Sequence, residues 1–426
     1  MTPPRLIDGV ELLGPYRGSG LKNPPYLVRR GDTILQISQL LHTVAFGADG
    51  RRDLDEIAAL ASTRLDRQLS ADDVRYLIEE KLAPAGIVAA EGEAGDRPSP
   101  PPAADDRLLA LRFRRALVPP EPVNVAARIL AGLFRGPVVA GILAAMVSFD
   151  AWLFGVHGIK GPLNQVFREP ELLLFVAVLT LLSTAFHEFG HAAACRFSGA
   201  RPGAVGAGVY FVWPVLFTNV TDAYRLGRIG RLRTDLGGIY FNAIFIAGLG
   251  GAYLATGFEP LLAVVVAEHF AILDQLMPWL RFDGYYIISD LTGVPDIFNR
   301  VRPALQSLIP GRPKHPEILA LRPRARRMLF AYLGSLVFFV AVSLAVTVVQ
   351  GPGLLATAWH SLLAQAKPLS DAIGMWDLPL TVLILIQTAM LAAPFVGLVL
   401  FFVLLVARYS YRSASMGVRA AARRAG

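Results

Sequence analysis

The stretch LLLFVAVLTLLSTAFHEFGH, residues 172–191, decides the reading of this chain. From Leu172 to Phe186 it is apolar and uncharged, with the composition of a helix that crosses a bilayer. It closes on His187-Glu188-Phe189-Gly190-His191. On a helix, His-Glu-x-x-His sets two imidazoles one turn apart on one face, the spacing at which two ligands reach one zinc ion. Glu188 between them is placed to take a proton from zinc-bound water. The alternative is a pair of buried histidines bonded to backbone carbonyls. Ionisable groups in a membrane helix are costly and mark functional positions, which favours the metal. A soluble zincin would carry this motif on an amphipathic helix, so the sequence points to peptide hydrolysis at or within a membrane.

Composition agrees with that setting. The chain has 426 residues, 54% hydrophobic and 17% charged, with a mean hydropathy of +0.47. That is too apolar for a soluble globular protein and fits a polytopic membrane protein. The net charge of +8 does not point to nucleic acid, because the basic residues sit in short loops beside apolar runs. Cys195 is the single cysteine, which excludes an internal disulfide. Met1 to Val10 has no apolar signal-peptide core.

About six apolar runs have spanning length: Val138–Val156, Leu172–Cys195, Leu236–Ala255, Leu261–Leu280, Met328–Val349 and Leu380–Ala407. Basic residues concentrate in Arg196–Asp235, in Arg300–Arg327 and in the tail from Arg408. Counting them places both termini in the cytosol and the chain in the inner (plasma) membrane, with His187 toward the cytosolic end of the second span.

Ahead of the spans lies a small α+β unit, residues 1–90. Tyr26–Arg30 and Thr33–Ile37 read as a hairpin turning at Gly31-Asp32. Ser38, Asp53 and Ser70 open three helices, the last with a variant capping box, and Ile87-Val88 reads as a closing strand. Strands followed by three helices describe a winged-helix-like module. Residues 91–106, with Pro98-Ser99-Pro100-Pro101-Pro102, form a Pro-rich linker. Residues 107–136 begin a basic juxtamembrane segment with Arg107, Arg112, Arg114 and Arg115, read as topology signalling or as contact with anionic lipid. Residues 137–426 form the transmembrane domain.

A catalytic zinc needs a third protein ligand and an open position. The fourth apolar run ends Met277-Pro278-Trp279-Leu280-Arg281-Phe282-Asp283-Gly284. Asp283 lies at the depth of the histidines and is a candidate by position. The alternative is an ordinary helix-end acid paired with Arg281. His-Glu-x-x-His on one span with Asp-Gly near the end of a later one resembles the site-2 protease family of membrane zinc metalloproteases, over Leu172 to Asp290. The resemblance implies a three-helix catalytic core and one Zn2+ per chain. His187, His191 and Asp283 would be the ligands and Glu188 the general base. The chain departs from the family at Met277, where many members carry Asn. Asn242 on the third span is a candidate to replace it toward substrate, with a helix-packing amide as the alternative. Ala204 to Asp222 looks like a re-entrant β-hairpin. In related proteases such a strand offers its edge to substrate, which makes Gly208 and Tyr210 candidate substrate-binding residues. Glu268, His269 and Asp274 within the fourth run read as polar packing or path residues, or as outer partners of a zinc-bound histidine.

The hairpin and the run Leu69 to Val88 resemble a PqqD-type peptide-recognition domain. Such domains bind leaders of ribosomally made, post-translationally modified peptides by strand addition. Tyr26 and Val28 are then candidate leader contacts. Small winged helices also bind DNA, but Asp72, Asp73, Glu79 and Glu80 dominate the third helix and disfavour it. Three functions follow. The first is a membrane metalloendopeptidase that matures a precursor peptide recruited by the N-terminal unit. The second is regulated intramembrane proteolysis of a membrane-anchored regulator. The third is a non-catalytic membrane adaptor or transport accessory.

Overall fold

A computed structural model of the chain describes residues 3–31, 33–89, 111–210, 213–378 and 380–389, with isolated positions from 392 to 403. The Pro-rich linker at 91–106, Arg107, Asp32 in the first turn, the hairpin tip at Phe211-Val212 and the basic tail from Arg408 lie outside the described residues.

The N-terminal unit starts with an antiparallel sheet of β1 (Val10–Pro15), β2 (Tyr26–Arg30) and β3 (Thr33–Ile37), with β2 in the middle. Val28 faces Leu12 on one side and Leu35 on the other. Three helices follow: α1 (Gln39–Gly47), α2 (Leu54–Leu65) and α3 (Ala71–Leu77). Their starts are set locally. Ser38 Oγ accepts from Leu41 N, Asp53 and Glu56 close a reciprocal capping box, and Ser70 and Asp73 close another. Each helix turns its apolar face to the sheet, so Val28, Val44, Ile57, Val74 and Leu82 form one buried core. The sequence did not single out β1. The closing strand expected at Ile87-Val88 is reduced to one bridge, Leu6 to Val88.

Within the basic segment before the spans, Leu111–Val118 is a strand, which the sequence did not single out. β4 (Leu111–Val118) is followed by α4 (Pro120–Leu130), α5 (Gly136–Trp152), α6 (Lys160–Arg168) and α7 (Pro170–Phe197). After α7 come β5 (Val205–Tyr210) and β6 (Trp213–Thr218), and β4 joins them in the antiparallel order β4-β5-β6. The expected hairpin is therefore two strands of a three-stranded sheet. Pairing gives the backbone of β4 hydrogen-bond partners inside the protein, and the Arg114 guanidinium lies 4.6 Å over the Phe217 ring.

α8 (Arg228–Asp235), α9 (Gly237–Thr256), α10 (Pro260–Gln275) and α11 (Asp283–Thr292) follow. Then come α12 (Ile297–Gln306), α13 (Pro316–Leu319), α14 (Pro323–Ala364) and α15 (Ala366–Gly374). Among the described residues four helical stretches are long and apolar enough to cross a membrane: Gly136–His157, Glu171–Phe197, Gly237–Thr256 and Pro323–Gly374. The protein is mostly helical, with these four candidate spans and the small N-terminal sheet unit.

Two of the six expected runs differ. Leu261–Leu280 is broken: α10 stops at Gln275, the chain turns, and Asp283 opens α11 instead of closing a span. Pro278 explains the break, since its ring forbids a helical hydrogen bond and biases Met277 away from helical geometry. The last run gives a shorter apolar helix, Leu380–Ala389, before the described residues thin out.

The helices that matter for the site pack closely. A Cβ on Gly190 of α7 would overlap the Gly237 carbonyl of α9, and a Cβ on Gly237 would meet Ala194 Cβ. Small residues thus let the two backbones touch. The N-terminal unit is fastened to the helical part by residues 16–22. Gly20 N donates to Gly293 O at 2.7 Å, Arg322 N to Gly20 O at 2.8 Å and Lys22 N to Ala320 O at 2.8 Å. Arg29 adds an ion pair to Asp222 at 2.8 Å.

Candidate metal centre

The two histidines lie on α7 one turn apart, with Nε2 atoms 3.1 Å from each other. Asp283, the first residue of α11, brings Oδ2 to 3.2 Å from His187 Nε2 and 3.3 Å from His191 Nε2. These three are the described residues that gather as a possible metal-binding group. They are shielded from solvent, His187 being 4% and His191 8% exposed.

The far side of each ring fixes what the near side can do. His191 Nδ1 faces the Thr234 carbonyl at 2.8 Å. His187 Nδ1 faces Asn242 Oδ1, while Asn242 Nδ2 donates to Glu268 Oε2 at 2.8 Å. Ser183 Oγ donates to the same Glu268 oxygen at 2.6 Å. A carboxylate accepts only, so the amide nitrogen must face Glu268 and the amide oxygen must face the imidazole. Both Nδ1 atoms therefore carry the proton, and both Nε2 atoms present a lone pair toward Asp283.

The donor set fits zinc. Bonds of about 2.0–2.1 Å in tetrahedral geometry place ligand atoms roughly 3.3–3.4 Å apart, and the three separations here are 3.1, 3.2 and 3.3 Å. Asp283 Oδ2 is buried with no hydrogen bond reaching it, the state of a carboxylate oxygen reserved for a cation. Glu188, one residue after His187, turns toward the sheet. Thr218 Oγ1, at the end of β6, lies 2.7 Å from Glu188 Oε2 and 2.8 Å from Glu188 O. Gly238 on α9 has room for no side chain, since a Cβ there would sit on His187 Nε2. Asp235, next to Thr234, is held by burial, and then by the Asp290 carboxylate beside it, well above the usual carboxylate range.

The other candidate residues are placed as follows. Asn242 faces His187, with its carbonyl and amide both engaged there. Gly208 and Tyr210 lie on β5, whose two edges are taken by β4 and β6, so an added strand has no backbone to pair with there. Tyr26 and Val28 lie on β2, the middle strand of the N-terminal sheet, for the same reason unable to accept a strand. Val28 is fully buried, while Tyr26 packs on His42 with ring centroids 4.6 Å apart. His269 pairs with Asp150 of α5 at 3.1 Å, leaving Glu268 as the acid of that group near the histidines. Thr234, Thr218 and Ser183 went unread in the sequence. Ser183 had a signal, lying one helical turn before His187 on the same face. Thr234 contributes a backbone carbonyl, which no residue type announces.

No protein-family model matches the chain, and no solved structure matches it. A curated relative, named "Putative peptide zinc metalloprotease protein YydH", from Bacillus subtilis (strain 168), is 26% identical over 163 residues. The match covers 37% of this chain and 65% of the relative, so the chain spans just under two thirds of that protein's length. The similarity supports a protease family for this chain.

Proposed function

We propose that the chain is a membrane-embedded zinc metalloendopeptidase of site-2 protease type that cleaves a precursor or leader peptide recruited by its N-terminal unit. The observation that carries the reading is the meeting of His187 Nε2, His191 Nε2 and Asp283 Oδ2, with both Nδ1 atoms committed to acceptors. In this reading His187, His191 and Asp283 hold one Zn2+, and Glu188 is the catalytic base.

The zinc, when bound, supplies a Lewis acid that lowers the pKa of water into the neutral range. Glu188 takes the proton of the attacking water on one carboxylate oxygen and returns it to the leaving amine. Thr218 steadies that carboxylate from the end of β6. Burial of the group strengthens each of these interactions by excluding competing water. β6 is an outer strand of its sheet, so an extended peptide can add along it and pass Glu188.

Residues 1–90 serve in this reading as a PqqD-like recognition unit on the cytosolic side, and residues 137–426 as the protease domain in the inner membrane. β3 is an outer strand of the first sheet, open to strand addition by a leader. A cavity of about 660 Å³ at the end of β3, lined by Tyr26, Ile37, Leu40, Leu65 and Arg300, offers space for side chains of such a peptide.

The test uses the full chain in detergent with a library of unstructured fluorogenic peptides as substrate. Wild type binds one zinc and cleaves members of the library. His187→Ala loses the zinc, and Glu188→Gln keeps it and loses cleavage. Undiminished cleavage by Glu188→Gln rules the mechanism out.

A further inference from the structure

One buried polar cluster is assembled from parts of the chain far apart in sequence. Arg231 on α8 donates from Nε to Asp290 Oδ1 on α11 at 2.7 Å. Tyr16, between β1 and β2, donates its hydroxyl to the same oxygen at 3.0 Å, and its ring centre lies 4.3 Å from the Arg231 guanidinium carbon. Arg231 Nη1 donates to the carbonyls of Arg17 at 3.0 Å and Leu226 at 2.8 Å. Tyr16 and Arg231 are each 2% exposed. Buried ion pairs add little net stability over apolar packing, because desolvation offsets their attraction. What this one does is fix a geometry.

Helical periodicity shows which geometry. Asp290 follows Asp283 by seven residues, two turns along the same face of α11. Arg231 precedes Thr234 by three residues, one turn along α8. The ion pair thus joins the helix that presents Asp283 to the helix whose Thr234 carbonyl holds the His191 ring. Tyr16 sits on that joint, on the same strap that Gly293 and Arg322 hold through Gly20.

We propose that Tyr16, Arg231 and Asp290 form a clamp that positions His191 and Asp283, so that the N-terminal unit sets the metal affinity of a site it does not touch. This rests on the zinc reading above. The clamp residues are positioning residues and contact neither metal nor substrate. A rigid two-helix support is what keeps metal-binding groups within a few tenths of an ångström of their working positions.

The test measures zinc dissociation constants of the full chain in detergent, by competition with a chromophoric chelator. Tyr16→Phe keeps the ring against Arg231 and removes the hydroxyl; its dissociation constant rises about tenfold, the lower end of what losing a metal ligand's outer support costs. Arg231→Lys keeps the charge without the fixed fork and raises it about 10–100-fold. Arg29→Gln breaks the ion pair to Asp222, which fastens the same unit elsewhere, and leaves the constant unchanged. Unchanged affinity in both Tyr16→Phe and Arg231→Lys, with tight zinc in wild type, overturns the clamp alone. Equal losses in all three variants overturn it in favour of docking in general. A wild-type chain that takes up no zinc overturns the zinc reading and the clamp together.

Discussion

A single methyl group at position 238 tests the metal centre most directly. Gly238 lies on α9 where that helix passes α7, and a Cβ there overlaps His187 Nε2, the nitrogen aimed at His191 and Asp283. In a helix interior, Gly→Ala alone stabilises by about 0.5–1 kcal/mol. Three effects oppose it at this position. Pushing the imidazole off its rotamer costs about 0.5–1.5 kcal/mol. Breaking its bond to Asn242 strands a buried donor and acceptor at about 1–3 kcal/mol. The backbones cannot part cheaply, because Gly190 and Gly237 already bring α7 and α9 into contact. The balance is a net loss of about 0.5–4 kcal/mol in Gly238→Ala. The ring also moves by about an ångström, against a ligand tolerance of roughly 0.2 Å. Zinc affinity then falls by at least about 100-fold, beyond the range for losing an outer partner. Chelator competition reads the affinity, and thermal unfolding of the metal-free chain reads the stability. Gly248→Ala is the control: on the same helix, with no atom within 4 Å of the new Cβ, it keeps zinc affinity and loses no stability. A Gly238→Ala chain that binds zinc as tightly as wild type refutes the placement of His187.

Thr218→Val removes the hydroxyl beside Glu188 and lowers kcat about ten- to hundredfold at unchanged zinc content, the range for a hydrogen bond to a charged group. An unaltered kcat separates Glu188 from the sheet. Asn242→Leu takes the acceptor from His187 Nδ1 and the amide from Glu268, so zinc affinity drops about 10–100-fold. Full affinity in that variant assigns the orientation of the ring to another group. His42 in the N-terminal unit is held below the ordinary imidazole range by burial and then by the Arg64 guanidinium, and its Nε2 is buried without a partner. A depressed folded-state value means that protonation favours the unfolded chain. The His42 contribution is therefore complete above about pH 6.5 and is lost as pH falls through the folded-state value. Unfolding temperature against pH should flatten in His42→Phe, and identical profiles sink the assignment.

The parts of the site that were legible in the sequence are those written in short spacings. His187, Glu188 and His191 declare a shared helix face by their separation alone. Asp53, and Ser70 with Asp73, declare helix starts by local chemistry too, while the capping partner Glu56 of Asp53 came only with the structure. Asn242 and Glu268 stood out as polar residues in apolar runs, but their partnership did not, because 26 residues separate them and they meet only where α9 packs on α10. The strand β4 was not legible: Arg112, Arg114 and Arg115 marked the segment as basic juxtamembrane sequence, and its strand character comes from pairing with β5, about 90 residues away.

The sequence by itself determined an apolar helical protein with a metal-binding motif at one helix end and a capped α+β unit ahead of it, because hydrophobic period, capping and motif spacing are properties of neighbours in the chain. The tertiary structure decided the rest. It brought Asp283, the first residue of α11, against the two histidines of α7. It gave Asn242 to His187 and set Thr218 against Glu188. It tied Tyr16 to Asp290 across 274 residues. Such contacts form only when separate elements share one close-packed interior, and no local pattern of residues specifies which distant group will occupy the space beside a given side chain.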